Sequence, residues 1–401
     1  MAVYKCSVIN KEGKKQKFNR YAASRSDLMG YLKQNNYIII DVIKSKSFIN
    51  QLLYKNTKIK SKDIAIFCKQ LYAMLTAGVT IADSIEILKY QTENKKFAKI
   101  VESLHENLHK GNTFSKSLSI YKDAFPPILI KMVEAGEISG NLEVIMNRLS
   151  IHFEKEYKIE NRVKSAMTYP IILIFVSIVV VIFLLTAIMP TFVQIYLNSN
   201  IELPKLTQFV IYVSNNIKNN WHILILFASA LVIILSAISK NNNIAYKIDY
   251  CKLKIPIMNN LVIKIACSRF ARTLSTLLGS GVQMLQAIEN TAGILGNSYL
   301  KKKIIDIKED VKRGQTLSQS LLDQGIFPPM VYSMIRIGED SNAMEEILDK
   351  TADFCDEEVD TTINKLTSLV EPLMIILMAT IVGFIVIAMV TPMFDMIQII
   401  Q

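Results

Sequence analysis

Acidic and basic residues are missing from three stretches of this 401-residue chain: Ser165 to Ile201, Trp221 to Ser239 and Pro372 to Pro392. Uncharged apolar runs of this length exclude ordinary surface helices, because about 20 residues at a rise of ~1.5 Å each cross a hydrocarbon core of ~30 Å. Other absences exclude chemistry. The five cysteines, Cys6, Cys68, Cys251, Cys267 and Cys355, form no CxxC pair, so they read as reduced, mostly packed thiols. No Walker A is present: GNTFSKS lacks the glycine before its lysine, and any ATP must be hydrolysed by another protein. The start, MAVYKCSVINKEGKKQKF, has no apolar stretch and predicts no cleavable signal peptide. Within the apolar runs no Asp, Glu, Lys or Arg occurs before Asp395, against the expectation for an ion-coupled permease, the alternative class of function.

What is present is a mean hydropathy of +0.28 and an uneven charge. Residues 1–165 hold 28 Lys and Arg against 16 Asp and Glu, a net of +12; residues 240–371 hold 16 against 17, a net of −1. Lys155, Lys158, Arg162 and Lys164 precede the first run, Lys240, Lys247, Lys252 and Lys254 follow the second, and residues 191–220 carry only Lys205 and Lys218 as bases. The positive-inside rule then predicts three membrane helices, at 169–190, 221–239 and 372–394. It puts the polar regions 61–168 and 240–371 in the cytoplasm, with a 191–220 loop and a 395–401 tail outside. The basic excess suits anionic lipid or an acidic protein; no nucleic-acid motif accompanies it.

The two polar regions are copies. FCKQLYAMLTAGVTIADSIE, Phe67 to Glu86, aligns with FARTLSTLLGSGVQMLQAIE, Phe270 to Glu289, at an offset of 203. After one deleted residue the offset is 202, and it holds from the FPP formula through Pro170 over Pro372 and Pro190 over Pro392. Apolar residues at Phe67, Leu71, Met74 and Leu75 follow helical spacing, and further helices are expected from about Ile81 and from Lys96 to Lys110. Each copy reads as a small helix bundle. Residues 1–60 have no second copy; AVYKCSVI and YIIIDVI, with a KEGKK turn and a helix near 24–34, predict a small α/β appendage.

Each copy carries one formula, FPPILIKMVEAGEISGNLE from Phe125 and FPPMVYSMIRIGEDSNAMEE from Phe327. Pro126 and Pro127, like Pro328 and Pro329, pre-set a helix start. That helix is expected to break at Gly136, and Gly338 holds the same place. Gly140 is either the N-cap of the next helix, with Glu143 at N3 returning to it, or a left-handed residue; Asn342 with Glu345 repeats both options. Glu137 and Glu339 suit a helix N-terminus, an interface or an ion. HENLH, His105 to His109, matches the zinc-protease signature HExxH, but the second copy has KEDVK, Lys308 to Lys312, in its place. No metal or other cofactor is expected.

The tandem F-x3-L-x3-L-x2-GV-x5-IE pattern, the FPP-x8-GE-x-SGNL formula, the EPL at the start of the last span and the TPMF after it resemble the type II secretion F family, which includes platform proteins of type IV pili and competence machinery. The resemblance implies an all-α integral membrane protein of the inner membrane, oligomeric and not an enzyme. Its implied partners are a cytoplasmic assembly ATPase, pilin or pseudopilin subunits and other inner-membrane assembly proteins. Phe125, Pro126, Pro127, Gly136, Glu137 and Gly140 match the family signature, as do Phe327, Pro328, Pro329, Gly338 and Glu339; Asn342 and Ala343 depart from its usual Gly-Asn.

Overall fold

A computed structural model describes residues 2–9, 15–22, 25–34, 37–44, 59–192, 204–238 and 242–400. Most of the predicted KEGKK turn, the greater part of the 191–203 connection and Gln401 lie outside these residues. The chain divides into two compact units, Met1–Asn147 and Arg148–Gln401.

The first unit opens with β1 (Ala2–Ile9), β2 (Lys15–Ala22), α1 (Arg25–Gln34) and β3 (Ile38–Lys44). They form an antiparallel sheet of order β2-β1-β3, with Val8 buried against Leu28 and Leu32 of α1. Strand β2 was not expected: KQKFNRYA is mostly polar, as an edge strand paired on one side tolerates. The helical part follows as α2 (Ser61–Thr76), α3 (Ile81–Gln91), α4 (Lys95–His109), α5 (Phe114–Ser119) and α6 (Pro127–Ser139). Its centre is a ring cluster of Phe67, Phe97 and Phe125, with centroids 5.4 to 6.2 Å apart. Side-chain caps start α3, α4 and α5: Thr80 accepts from the Asp83 amide, Asn94 from Lys96 and Phe97, and Thr113 from Lys116.

Helix α7 (Leu142–Phe183) continues through Pro170 and a π turn, Leu184–Ile188. Beyond it come α8 (Lys205–Ile238), α9 (Asn242–Lys254) and the second copy: α10 (Pro256–Leu278), α11 (Met284–Ala292), α12 (Ser298–Lys312), α13 (Leu317–Gln324), α14 (Pro329–Asp340) and α15 (Met344–Ile400). Phe270 and Phe327 repeat the aromatic contact at 5.2 Å. Two described helices are long and apolar enough to cross a membrane, Leu142–Phe192 and Met344–Thr391. Their apolar side chains point outward; Phe175 and Ile376 are both 67% exposed. Residues 205–220 form no loop. They are the first half of α8, joined to the apolar second half across a kink at Asn220.

Candidate functional site

The repeated formula builds a joint in each copy. Phe125 and Phe327 are buried plugs, and the prolines after them start α6 and α14, with Pro126 and Pro328 extended and Pro127 and Pro329 as the first helical residues. The helix does not break at Gly136, which is buried within α6. A Cβ there would come within 2.8 Å of Ile145 Cγ1 and 3.3 Å of Leu142 Cα, and one on Gly338 within 3.3 Å of Met344 Cα. The glycine is needed for close approach of the following helix, and backbone hydrogen bonds hold the helix together through it.

Gly140 is not an N-cap. It ends α6 with φ +73°, and Asn342 follows the last turn of α14 with φ +54°, the only described non-glycine residue with positive φ. Both are types that tolerate this region, so the exchange leaves the backbone unchanged. The expected return of Glu143 to the cap fails with it. Asn141 precedes the first residue of α7, so exposed Glu143 is the second helical residue rather than the third. Glu345 turns to Arg148, with Oε1 2.5 Å from Nη1.

Glu137 and Glu339 each reach back to an earlier helix. Glu137 accepts from the backbone N–H of Phe114 at 2.5 Å and of Ser115 at 3.0 Å, and from the Ser115 hydroxyl. Glu339 accepts from the N–H of Leu317 at 2.6 Å and of Ser318 at 3.2 Å, and from the Ser318 hydroxyl. Each carboxylate takes free amides in the first turn of α5 or α13, where the helix dipole favours negative charge. Hydrogen bonds to a charged acceptor are worth about 1.5–3 kcal/mol. Glu137→Ala and Glu339→Ala are therefore expected to speed deuterium exchange of peptides 113–119 and 316–322, respectively, at least about tenfold, with each effect confined to its own copy. Unchanged exchange would remove the clamp.

The second unit also holds a charge ladder that the sequence reading missed. Arg272, 6% exposed, donates to Asp349 at 2.7 Å, Asp353 at 2.6 Å and Asp356 at 2.9 Å. From α7, Arg148 meets Glu345, Lys155 meets Asp353 at 2.7 Å and Arg162 meets Asp360, so α7 and α15 run parallel here. Arg269 pairs with Glu156 at 2.5 Å and Lys264 with Glu358 at 2.5 Å. Asp349, Asp353, Asp356 and Asp360 recur at i, i+4, i+7 and i+11, one face of a helix, and Arg148, Lys155 and Arg162 at intervals of seven. That periodicity was the available signal. Positions equivalent to the four aspartates in the first copy are Asn147, Ile151, Glu154 and Lys158, so the aspartate spacing is confined to the second copy. Beside it lies a cavity of about 580 Å³ lined by Arg148, His152, Arg272, Ser275 and Asn342. His152 is buried, and its Nδ1 has no hydrogen-bond partner among the described residues.

His105 and His109 face one another, Nε2 to Nε2, at 2.9 Å, with Glu86 3.8 Å from His105. The second copy replaces this His–Glu contact by Lys308 on Glu289 at 2.9 Å, which gives the position an ion-pairing use. Burial, and then His109, lower the His105 pKa. Among the described residues no group of three or more His, Cys, Asp or Glu is placed to hold a metal ion.

The model of the family described as "Type II secretion system (T2SS), protein F" matches residues 67–190 and again 270–392, the two copies. A type IV pilus assembly protein PilC of Thermus thermophilus is 41% identical over 337 residues, 84% of this chain and 83% of that one. The PilC of Pseudomonas aeruginosa is 33% identical over 86% of this chain and 92% of its own, and a type II secretion system protein F of Aeromonas hydrophila 29% over 88% and 91%. With both copies matched by one family model and relatives of this identity spanning most of its length, the chain belongs to the type II secretion system protein F family.

Proposed function

We propose that the chain is a three-span platform of the inner membrane, N-terminus inside and C-terminus outside, in a type IV pilus or type II secretion machine. It couples a cytoplasmic assembly ATPase to the insertion or extraction of pilin or pseudopilin subunits, works as a homo-oligomer beside other inner-membrane assembly proteins, and performs no catalysis of its own. The observation that carries this reading is continuity: α7 and α15 each start at a repeated joint and run without interruption into an apolar span. Work done on a cytoplasmic joint then reaches the bilayer through one helix. The net +12 of residues 1–165 supports an acidic cytoplasmic partner or lipid face.

The test is retention of the cognate ATPase on the purified full chain. Binding is expected in low salt and should fall steeply as ionic strength rises. Absence of binding at all salt concentrations, with the chain folded, would overturn the coupling role. Reporter fusions after residues 200 and 241 report the orientation independently, and opposite signals are expected.

A further inference from the structure

Helix α10 runs antiparallel to the inner part of α15, and its start points toward the apolar run. Arg272 meets Asp349, Ser268 meets Asp356, Lys264 meets Glu358 and, at 2.9 Å, Thr362, and Leu261 packs against the cluster of Ile159, Val359 and Ile363. Continued for one more turn, this register brings Met258 and Pro256 level with about residues 365–369 of α15, roughly 5–10 Å short of Pro372, where the uncharged run begins. The headgroup layer beside the hydrocarbon core has a similar depth. The end of α9, joined to α10 through Ile255 alone, lies at this level too.

This corner of the second copy is basic. Residues 240–303 hold ten Lys and Arg against two Asp and Glu, whereas residues 304–371 hold six against fifteen. Both acids of the basic part are engaged: Asp249 accepts from the Ser298 N–H at 2.8 Å and from Lys252 at 2.9 Å, and Glu289 accepts from Lys308. Asp249 is also buried, so the outer face of α9 carries no carboxylate. Ile244, Lys247, Cys251 and Lys254 recur there at i, i+3, i+7 and i+10, and Tyr250 and Ile255 border them; all six are exposed. Tyr299 of α12 packs on Tyr246 at 5.7 Å and on Tyr250 at 5.4 Å, with Lys302 Nζ 6.0 Å from the Tyr246 ring centroid and Lys254 Nζ 5.0 Å from that of Tyr250. The tyrosines thus bring a lysine of α12 beside those of α9. Lys247, Lys254 and Lys302 have no carboxylate partner among the described residues.

We infer that this corner is a docking face for anionic phospholipid. Ile244, Tyr250, Ile255 and Met258, all exposed, enter the boundary between headgroups and acyl chains, while Lys247, Lys254 and Lys302 meet lipid phosphates. Apolar, aromatic and basic side chains sharing one helix face are what a helix lying in the interface presents. Depth selects a lipid over an acidic protein, because the face is level with the headgroups. Charge selects an anionic lipid: no free carboxylate stands beside the three ammonium groups to receive the cationic end of a zwitterionic headgroup. The inference rests on the reading of α15 as a span and deepens it, because it names the lipid class on which the second copy rests.

The experiment uses the full chain carrying Cys6→Ser, labelled with bimane at the exposed Cys251; Cys68, Cys267 and Cys355 are buried. It is reconstituted in phosphatidylcholine vesicles to which phosphatidylglycerol or phosphatidylcholine with a nitroxide on the acyl chain, near the headgroup, is added. Quenching is expected to report about tenfold tighter association of the phosphatidylglycerol. The preference should be lost when Lys247→Gln, Lys254→Gln and Lys302→Gln are combined and kept when the same three become Arg. Equal quenching by the two lipids, or a preference that survives the triple Gln variant, overturns the proposal. So does quenching by neither; a bimane shift caused instead by polyglutamate would identify an acidic protein as the occupant. A reporter fused after Gln401 tests the span separately: an internal signal defeats the reading of α15 as a span, whereas an external signal with equal quenching defeats only this face.

Discussion

Arg272→Met is expected to destabilise the second unit by about 3 kcal/mol, at the low end of what removal of one partner from a buried ion cluster costs. The guanidinium is buried and is shared by three carboxylates whose settings differ. Asp356 is held at 16% side-chain exposure and also accepts from Ser268, whereas Asp349 and Asp353 are 57% and 50% exposed. Removing Arg272 leaves Asp356 charged with little water, while the other two rehydrate. Asp349→Asn should therefore cost less than about 1 kcal/mol, as half-exposed pairs do. The double variant Arg272→Met with Asp356→Leu should recover part of the loss, since an apolar pair replaces a stranded charge. Denaturant unfolding of the purified chain, followed by deuterium exchange over residues 264–276 and 345–360, measures all three. If Arg272→Met is as mild as Asp349→Asn, the cluster does not hold α10 to α15.

Acid should weaken the same region between about pH 6.5 and pH 4, and His152 is the main cause. Burial first, then the neighbouring charges of Arg272 and Arg269, hold its pKa down to about 4, against an ordinary value of 6.5. The folded state keeps His152 neutral, while the unfolded chain takes up a proton below its ordinary pKa. Stability is thus full above pH 6.5, falls as pH drops toward 4 and stays level with respect to this group below it. A displacement of this size corresponds to about 3 kcal/mol. Asp353 acts in the same direction. Burial opposes its charge, but hydrogen bonds from Lys155 and Arg272 prevail and keep its carboxyl below the usual range. Its contribution is present above the ordinary carboxylate pKa and is lost as pH falls through the lower folded value. In His152→Leu the melting temperature should be nearly flat from pH 6.5 to 4.5, with only the carboxylate-linked loss remaining at lower pH. A variant that loses as much as the wild type in that window would exonerate the histidine.

The sequence made the duplication, the FPP helix starts and the tolerance of Asn342 for Gly140 legible because each is local or repeated. It left Glu137 open between cap, interface and ion because its partners, Phe114 and Ser115, lie on another helix, and only packing brings them within reach. The break expected at Gly136 failed because glycine propensity was weighed without the close approach to Ile145 and Leu142. The ladder was visible as a seven-residue spacing of Arg148, Lys155 and Arg162. The positive-inside rule, however, depends only on how many charges flank a span and not on which helix face they occupy. Residues 205–220 read as a loop because SNNIKNN is polar, whereas Thr207 and Ser214 use hydroxyls to satisfy carbonyls on the spans.

The length of α15 sets a condition on its angular phase. Its inner part is fixed against α7 and α10 by the ladder, up to Asp360, and its outer part by the packing of Ile385, Ala388 and Met389, with no helical break in between. One residue inserted between these two anchors would turn the outer contacts by about 100° away from α8, whereas seven would bring them back to within about 20° while displacing them by about 10 Å. The stretch from Asp360 to Ile385 is thereby held to a residue count as well as to a composition. It behaves as a keyed spacer, in which the number of residues decides which face of the last span meets its neighbour.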